Sequence, residues 1–289
     1  MSDARTLTAA LRGRWYGHYG TAFCPAHPNS RTPALSLADG GGGRLLLTCH
    51  AGCTFDAILA ALKARGLVDG TAPAPDPLAP ARQQAEARHR ADQRARQAGE
   101  IWQAAQPIEG TPGERYLRGR GVTCPLPGSL RFLPDCWHGP TGQRLPAMIA
   151  RIDGADGFGV HRTYLSRDGR KAAVAPAKAM LGHAVGGAVR LTDGGPLVVC
   201  EGIETGLSLA NGLMDGPRTI WAALSTSGIK RLRLPCAPGR LTVAPDGDPP
   251  GREAGADLVG RARALGWDCW ALPVPNGQDW NDILQKGAA

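Results

Sequence analysis

Aromatic residues are scarce in this sequence: Phe, Trp and Tyr together make up 5% of its 289 residues. No apolar run approaches the ~18–20 residues that a membrane helix requires. The opening stretch MSDARTLTAALRGRW also lacks the apolar segment and small-residue cleavage site of a secretory signal. A membrane protein and a secreted one are therefore not expected; a cytoplasmic one is. No Gly-x4-Gly-Lys-Ser/Thr phosphate loop occurs, which excludes a fused P-loop motor. Internal repeats are absent too. What is present is ordinary for a globular chain, with 43% hydrophobic and 20% charged residues. The length suits two or three domains, and 40 glycines and 24 prolines punctuate them heavily.

Charge is unevenly placed. The net charge is +8, and residues 1–194 carry all of the excess, while residues 195–289 hold 9 basic against 10 acidic groups. A basic front joined to a locally acidic back suits a polyanion held against metal-binding carboxylates. A solvated, arginine-rich surface would give the same sum.

Four segments are expected. Residues 1–68 read as short strands and turns, with a strand over Arg44–Thr48 behind the Gly40–Gly43 turn. A helix follows, because Phe55, Ile58, Leu59 and Leu62 share one face; Thr54 caps it and Gly66 ends it. Residues 69–106 begin with DGTAPAPDPLAPA, a Pro-rich linker, and continue as a polar helix with no apolar stripe until Ile101 and Trp102. Residues 107–194 form a basic mixed middle subdomain with strands at 147–152, 157–164 and 188–191. In residues 195–289 strands at 197–200, 219–223, 240–244 and 267–272 alternate with helices, the mark of a parallel α/β sheet. The fold class is thus α/β in its C-terminal part and α+β overall.

Of eight cysteines, three lie close together beside histidines, in Cys24-Pro-Ala-His27 and Cys49-His50-Ala-Gly-Cys53. Zinc takes four N or S ligands in a tetrahedron, commonly as two pairs each held by a tight turn. Cys24 and His27 make one pair. The second is Cys49 with Cys53 or His50 with Cys53; Cys49 is favoured because a thiolate binds more strongly and ends the strand that would build a ribbon. The other five cysteines are scattered and read as buried thiols.

The C-terminal strands end on acids: Glu201 after the first, Asp246 and Asp248 after the third, Asp279 and Asp282 beyond the fourth. Ligands of open α/β sheets bind outside the carboxyl ends of the strands. Carboxylates crowded there repel one another unless a hard cation such as Mg²⁺ or Mn²⁺ lies among them. Asp279 and Asp282 also suit the role of caps on a final helix.

Glu201-Gly202, Asp246-Gly247-Asp248 with Gly-Arg-Glu-Ala-Gly-Ala after it, and Gly277-Gln-Asp279-x-x-Asp282 together resemble a Toprim domain. The N-terminal Cys/His set resembles the zinc-binding module of DnaG-type bacterial primases, and the order of the two resembles small phage- and plasmid-encoded primases. The resemblance covers residues 20–66 and 195–285. It implies a zinc-ribbon module, Mg²⁺ or Mn²⁺ held by Glu201, Asp246 and Asp248, and RNA primer synthesis on single-stranded DNA from ribonucleoside triphosphates. It also implies a replicative helicase acting in trans. Two departures stand out. Such primases carry an Asp where this chain has Thr205, so that either Glu204, one residue earlier, is the substitute ligand or that ligand is missing, and the three-residue gap between Cys49 and Cys53 is unusual.

A basic set fills the middle: Arg115, Arg118 and Arg120, then Arg162 and Lys171, then Lys178. Phosphates require such groups, and the resemblance implies that these hold template or triphosphate. Two rivals remain at this stage: a Toprim nuclease using the same acids with water, and a single-strand-binding adaptor that has lost catalysis.

Overall fold

The computed structural model describes residues 3–28, 32–41, 44–68 and 79–287. Most of the expected Pro-rich linker, residues 69–78, lies outside them. The chain divides into two compact units, Met1–Ala81 and Arg82–Ala289.

In the first unit, helix α1 (Ala4–Ala10) is capped by the Asp3 carboxylate, which accepts from the Thr6 N–H. Strands β1 (Arg14–Trp15), β2 (Gly20–Ala22), β3 (Leu35–Gly40) and β4 (Arg44–Cys49) form an antiparallel sheet in that order. Helix α2 (Phe55–Ala64) follows, with Thr54 accepting from the Ala57 N–H as its cap, as the periodicity predicts. Leu7, Leu35, Leu37, Ile58 and Leu62 make a small core, and Cys24 and Cys49 are buried within it.

Helix α3 (Ala79–Ala104) leads into the second unit, which begins at Arg82. Its polar first half is solvent-facing, while Ala98 and Trp102 are buried. Arg131 clamps that end, with its guanidinium 4.3 Å from the Trp102 ring centroid and donating to the Trp102 carbonyl at 3.0 Å. After β5 (Gln106–Pro107) and α4 (Pro112–Gly119), strands β6 (Leu130–His138), β7 (Gln143–Ile152), β8 (Gly159–Tyr164) and β9 (Lys178–Gly182) build an antiparallel sheet in the order β5-β6-β7-β8-β9. Three strands of this sheet, β5, β6 and β9, are not expected from the pattern. In β6, Pro134 and Asp135 sit at a register shift between Leu133 and Cys136, which hides the alternation.

The last sheet comprises β10 (Val189–Thr192), β11 (Leu197–Cys200), β12 (Thr219–Ala222), β13 (Arg240–Ala244) and β14 (Asp268–Ala271), in the order β10-β12-β11-β13-β14. Four strands are parallel, as expected. The edge strand β10 is antiparallel to β12, although it precedes residue 195, where the sequence pattern starts this sheet. The helices are α5 (Ile203–Ser208), α6 (Thr226–Arg231), α7 (Pro249–Ala264) and α8 (Trp280–Gly287). One core joins both sheets: Leu117, Leu130, Met148 and Ala150 pack with Val198, Cys200, Ile203, Leu207 and Ala244. Burial of each Leu, Ile, Val or Met side chain among them contributes about 1.5–3 kcal/mol, so the middle segment and the last sheet cohere as one unit. No helix among the described residues is long and apolar enough to cross a membrane.

Candidate functional site

In the first unit, Cys24, His27, Cys49 and Cys53 converge, their ligand atoms all within 4.8 Å of one another. Zinc bonds of about 2.0–2.3 Å place tetrahedral ligand atoms roughly 3.4–3.8 Å apart, so the set fits zinc with little movement. Gly52, at φ +91°, makes the three-residue gap workable by turning Cys53 back toward Cys49. Its N–H donates to the Cys49 carbonyl at 3.1 Å. His50 points elsewhere, its Nε2 2.8 Å from the Ser36 hydroxyl. Burial pushes the Cys24 thiol up to about 11. Burial acts on Cys49 as well, but the N–H groups of Cys53 and Ala51 and the neighbouring His27 and Cys24 outweigh it and bring Cys49 down to about 6. Negative charge thus settles first on Cys49, whose Sγ lies 3.5 Å from His27 Nε2.

In the second unit, Cys200 and Ala244 are register partners on adjacent parallel strands, so Glu201 and Asp246 emerge side by side at the carboxyl edge. The backbone around them is tightly held. Leu224 adopts φ +71°, a left-handed conformation that is costly for leucine, and its N–H donates to the Glu201 carbonyl at 2.7 Å. The Asp246–Asp248 loop lies against residues 275–278 through Gly247 N–H to Gln278 O (2.8 Å) and Gly277 N–H to Gly247 O (2.9 Å). A Cβ on Gly247 would sit 2.1 Å from the Pro275 carbonyl oxygen, so this approach demands glycine. Arg252, to which the sequence motif assigns no role, ties the same loops by donating to the Gly247 and Val274 carbonyls and to Asn276.

Asp248 caps α7, accepting from the Gly251 N–H at 2.7 Å. Asp279 and Asp282 cap α8 reciprocally, each accepting from the other's N–H at 2.8 and 3.1 Å. The carboxylates nevertheless act on one another. Burial, then Asp246 and Asp248, pushes Glu201 up to about 7. Burial, then Asp279 and Asp248, pushes Asp246 up to about 6. A hard divalent cation would relieve that repulsion, and the donor set, half-buried Glu201 and Asp246 with the exposed Asp248, fits Mg²⁺ or Mn²⁺. Among the described residues, only the Cys/His group gathers its ligand atoms within 4.8 Å. The more open carboxylate edge suits an ion that keeps several of its waters.

The basic residues divide by what already engages them. Arg118 pairs with Glu114 at 2.9 Å and donates to the Val122 and Cys124 carbonyls, so it braces the end of α4. Arg115 is exposed and donates to the Arg167 carbonyl at 3.2 Å. Arg120 and Arg162 are partly buried, each with an Nε that has no hydrogen-bond partner; Arg162 also lies over the Tyr164 ring. Lys171 is exposed. Lys178 stands 2.9 Å from the buried Glu204 carboxylate, and Thr205 contacts Asp246 at 3.5 Å. Exposed aromatics of the first unit are a further feature that the pattern did not single out. Tyr16 and Tyr19 stack with centroids 5.3 Å apart at 20°, and Arg14 lies 5.5 Å from the Tyr16 ring centroid.

A pH-dependent effect of metal follows from the raised carboxyls. Unfolded, they ionise near the ordinary value of about 4; folded, Glu201 and Asp246 hold their protons until about 7 and 6. Folding without metal therefore loses stability as pH rises from about 4 to 7. Buried His161, depressed to about 4 by burial, pulls the other way between about 4 and 6.5, so the informative quantity is a difference. The rise in melting temperature on adding Mg²⁺ should be larger at about pH 8 than at about pH 5.5, where protons compete for the same oxygens. Asp246→Asn should flatten that dependence. A Mg²⁺ effect equal at both pH values would remove these two carboxylates from the metal site.

Residues 92–191 match a domain of unknown function, DUF7146. No curated protein matches the chain. Among solved structures, the zinc-binding and RNA polymerase domains of the Aquifex aeolicus primase are 14% identical with a TM-score of 0.44, covering 98% of this chain and 79% of that one. A DNA primase domain from Pseudomonas aeruginosa is 18% identical with a TM-score of 0.42, covering 66% and 74%. The primase fragment of the bacteriophage T7 primase-helicase protein is 17% identical with a TM-score of 0.32, covering 49% and 62%. Residues 196–289, which carry Glu201, Asp246, Asp248 and Asp279 on the carboxyl edge of their sheet, match the Toprim domain family.

Proposed function

We propose that this chain is a primase-type nucleotidyl transferase that makes short RNA primers on single-stranded DNA. The observation that carries the reading is the carboxylate edge of the Toprim domain, where Glu201, Asp246, Asp248 and Asp279 share one electrostatic neighbourhood with the Lys178 ammonium. Glu201, Asp246 and Asp248 would hold Mg²⁺ or Mn²⁺, which when bound supplies charge neutralisation for the triphosphate and lowers the pKa of the attacking hydroxyl. The chain's own contribution is positioning and fixed charge. Lys178 presents a cation beside the carboxylates, and Arg162 of β8 and the exposed Lys171 are further cations of the middle segment. The Cys24, His27, Cys49 and Cys53 site would staple the first unit, whose exposed tyrosines offer ring faces to unpaired bases.

Incubation with single-stranded DNA and labelled ribonucleoside triphosphates in Mg²⁺ or Mn²⁺ tests the reading. Labelled RNA of a few nucleotides is expected. Shortened DNA instead would make the chain a Toprim nuclease, and binding with no metal-dependent product would make it an adaptor. The replacement of the motif Asp by Thr205 is the feature that favours the adaptor.

Two kinds of nucleic-acid contact are separable by salt. Replacing Arg162 and Lys171 together by Ala should weaken single-stranded DNA binding and flatten the salt dependence by about 1.4, at about 0.7 per phosphate contact. Replacing Tyr16 and Tyr19 by Ala should cost about 1–3 kcal/mol per stacked base with the slope unchanged. Fluorescence anisotropy across a salt series reads both. A basic pair whose loss leaves the slope intact is only a solvated face.

A further inference from the structure

Glu204 is the residue that the sequence offers as a substitute metal ligand, and the structure engages it otherwise. Its side chain is 6% exposed in the first turn of α5. One oxygen accepts from the Tyr116 hydroxyl at 2.7 Å, and the Lys178 ammonium lies 2.9 Å away. These partners come from α4 and β9, so three elements meet on one carboxylate. The helix beneath is also fixed: the Ser208 hydroxyl donates to the Glu204 carbonyl at 2.9 Å and accepts from Asn281 of α8 at 2.9 Å.

A buried carboxylate is tolerated only when paired and hydrogen-bonded. Here burial raises the Glu204 carboxyl, but Lys178 and Tyr116 overcome it and hold the group near 2. Tyr116 is pushed far up by burial and by Glu204, so its phenol stays protonated and donates. A cation seeking Glu204 as a ligand would have to approach oxygens already engaged by an O–H and an ammonium, against the ammonium's own charge. Lys178, by contrast, is only partly enclosed, with 39% of its side chain exposed, and its charge reaches both Glu201 and Asp246.

The geometry points to Glu204, gripped by Tyr116, as a positioning residue that fixes the Lys178 ammonium beside the carboxylate edge and does not itself bind metal. This rests on the proposed nucleotidyl-transfer reading for what Lys178 meets, the phosphates of an incoming nucleotide. A free lysine loses rotamer entropy when it closes on a phosphate; a lysine anchored beforehand has already lost it. Anchoring therefore shows itself in phosphate affinity and leaves metal affinity nearly untouched.

The test uses the whole 289-residue chain and two probes, Mn²⁺ alone by electron paramagnetic resonance and inorganic tripolyphosphate at saturating Mg²⁺ by calorimetry. Glu204→Gln and Tyr116→Phe should keep Mn²⁺ affinity within about threefold, while Asp246→Asn loses at least about tenfold. Tripolyphosphate affinity should fall about tenfold in Glu204→Gln and about threefold in Tyr116→Phe. The Glu204→Gln/Lys178→Met pair should be no weaker than Lys178→Met alone, since residues acting as one unit do not add. Tyr116→Phe with Lys178→Met gives the same cycle if Glu204→Gln does not fold. Loss of Mn²⁺ in Glu204→Gln equal to that in Asp246→Asn would make Glu204 a ligand and overturn the inference. So would additive losses of tripolyphosphate affinity. Failure of Asp246→Asn to lose Mn²⁺ would instead overturn the functional reading, while the cycle on Lys178 still decides whether Glu204 positions it.

Discussion

Asp246→Asn and Glu201→Gln are each expected to lower primer synthesis by at least about a hundredfold. Metal-assisted charge stabilisation is worth several kcal/mol in a phosphoryl-transfer transition state, and each ~1.4 kcal/mol is tenfold in rate. The amides keep the shape of the acids and remove the charge that would draw the cations. The surrounding geometry should survive, because the loop is held by backbone pairs from Gly247 to Gln278 and Gly277 and by Arg252, none of which uses the Asp246 carboxylate. Single-stranded DNA affinity should persist or rise, since a negative neighbour of the phosphates has gone. Primer synthesis by Asp246→Asn at the wild-type rate in Mg²⁺ or Mn²⁺ would place the active site elsewhere.

Cys53→Ser should release the zinc and loosen residues 20–66, leaving the Toprim sheet folded. The first unit encloses a small core around Leu7, Leu35, Leu37, Ile58 and Leu62, and units of this size commonly lean on a metal. Structural zinc supplies about 10–16 kcal/mol of apparent binding energy near neutral pH, much of which becomes folding energy. The second unit has cores of its own, so its protection from hydrogen exchange should not change. Metal analysis and exchange on the same samples read both halves of the prediction. Full zinc in Cys49→Ser together with loss in His50→Ala would reverse the ligand assignment, against the direction His50 takes toward Ser36.

Much of the C-terminal fold is readable because its signals are local. Leu197–Cys200 and Arg240–Ala244 are short apolar runs followed by Gly-containing turns and helices, and the structure pairs them as parallel neighbours. The α2 helix is written in its cap and apolar spacing. Strand β6 escaped notice because its bulge around Pro134 and Asp135 interrupts the alternation. Strand β10 looked like part of the middle segment because nothing within Val189–Thr192 says that its partner is β12, about thirty residues on.

Spacing alone showed that Cys24, His27 and Cys53, with either Cys49 or His50, suit a metal set and that Glu201, Asp246 and Asp248 end strands of one sheet, because tight turns and strand ends place neighbours in sequence next to each other in space. Only the tertiary structure places Cys49 in the cluster and His50 outside it, where one left-handed glycine and one serine hydroxyl on the adjacent strand direct the two side chains apart. Only it decided the fate of Glu204, whose hydroxyl partner lies 88 residues away and whose ammonium partner lies 26 away. A carboxylate's role depends on which charges and donors share its burial, and such partners meet only when distant elements pack into one core.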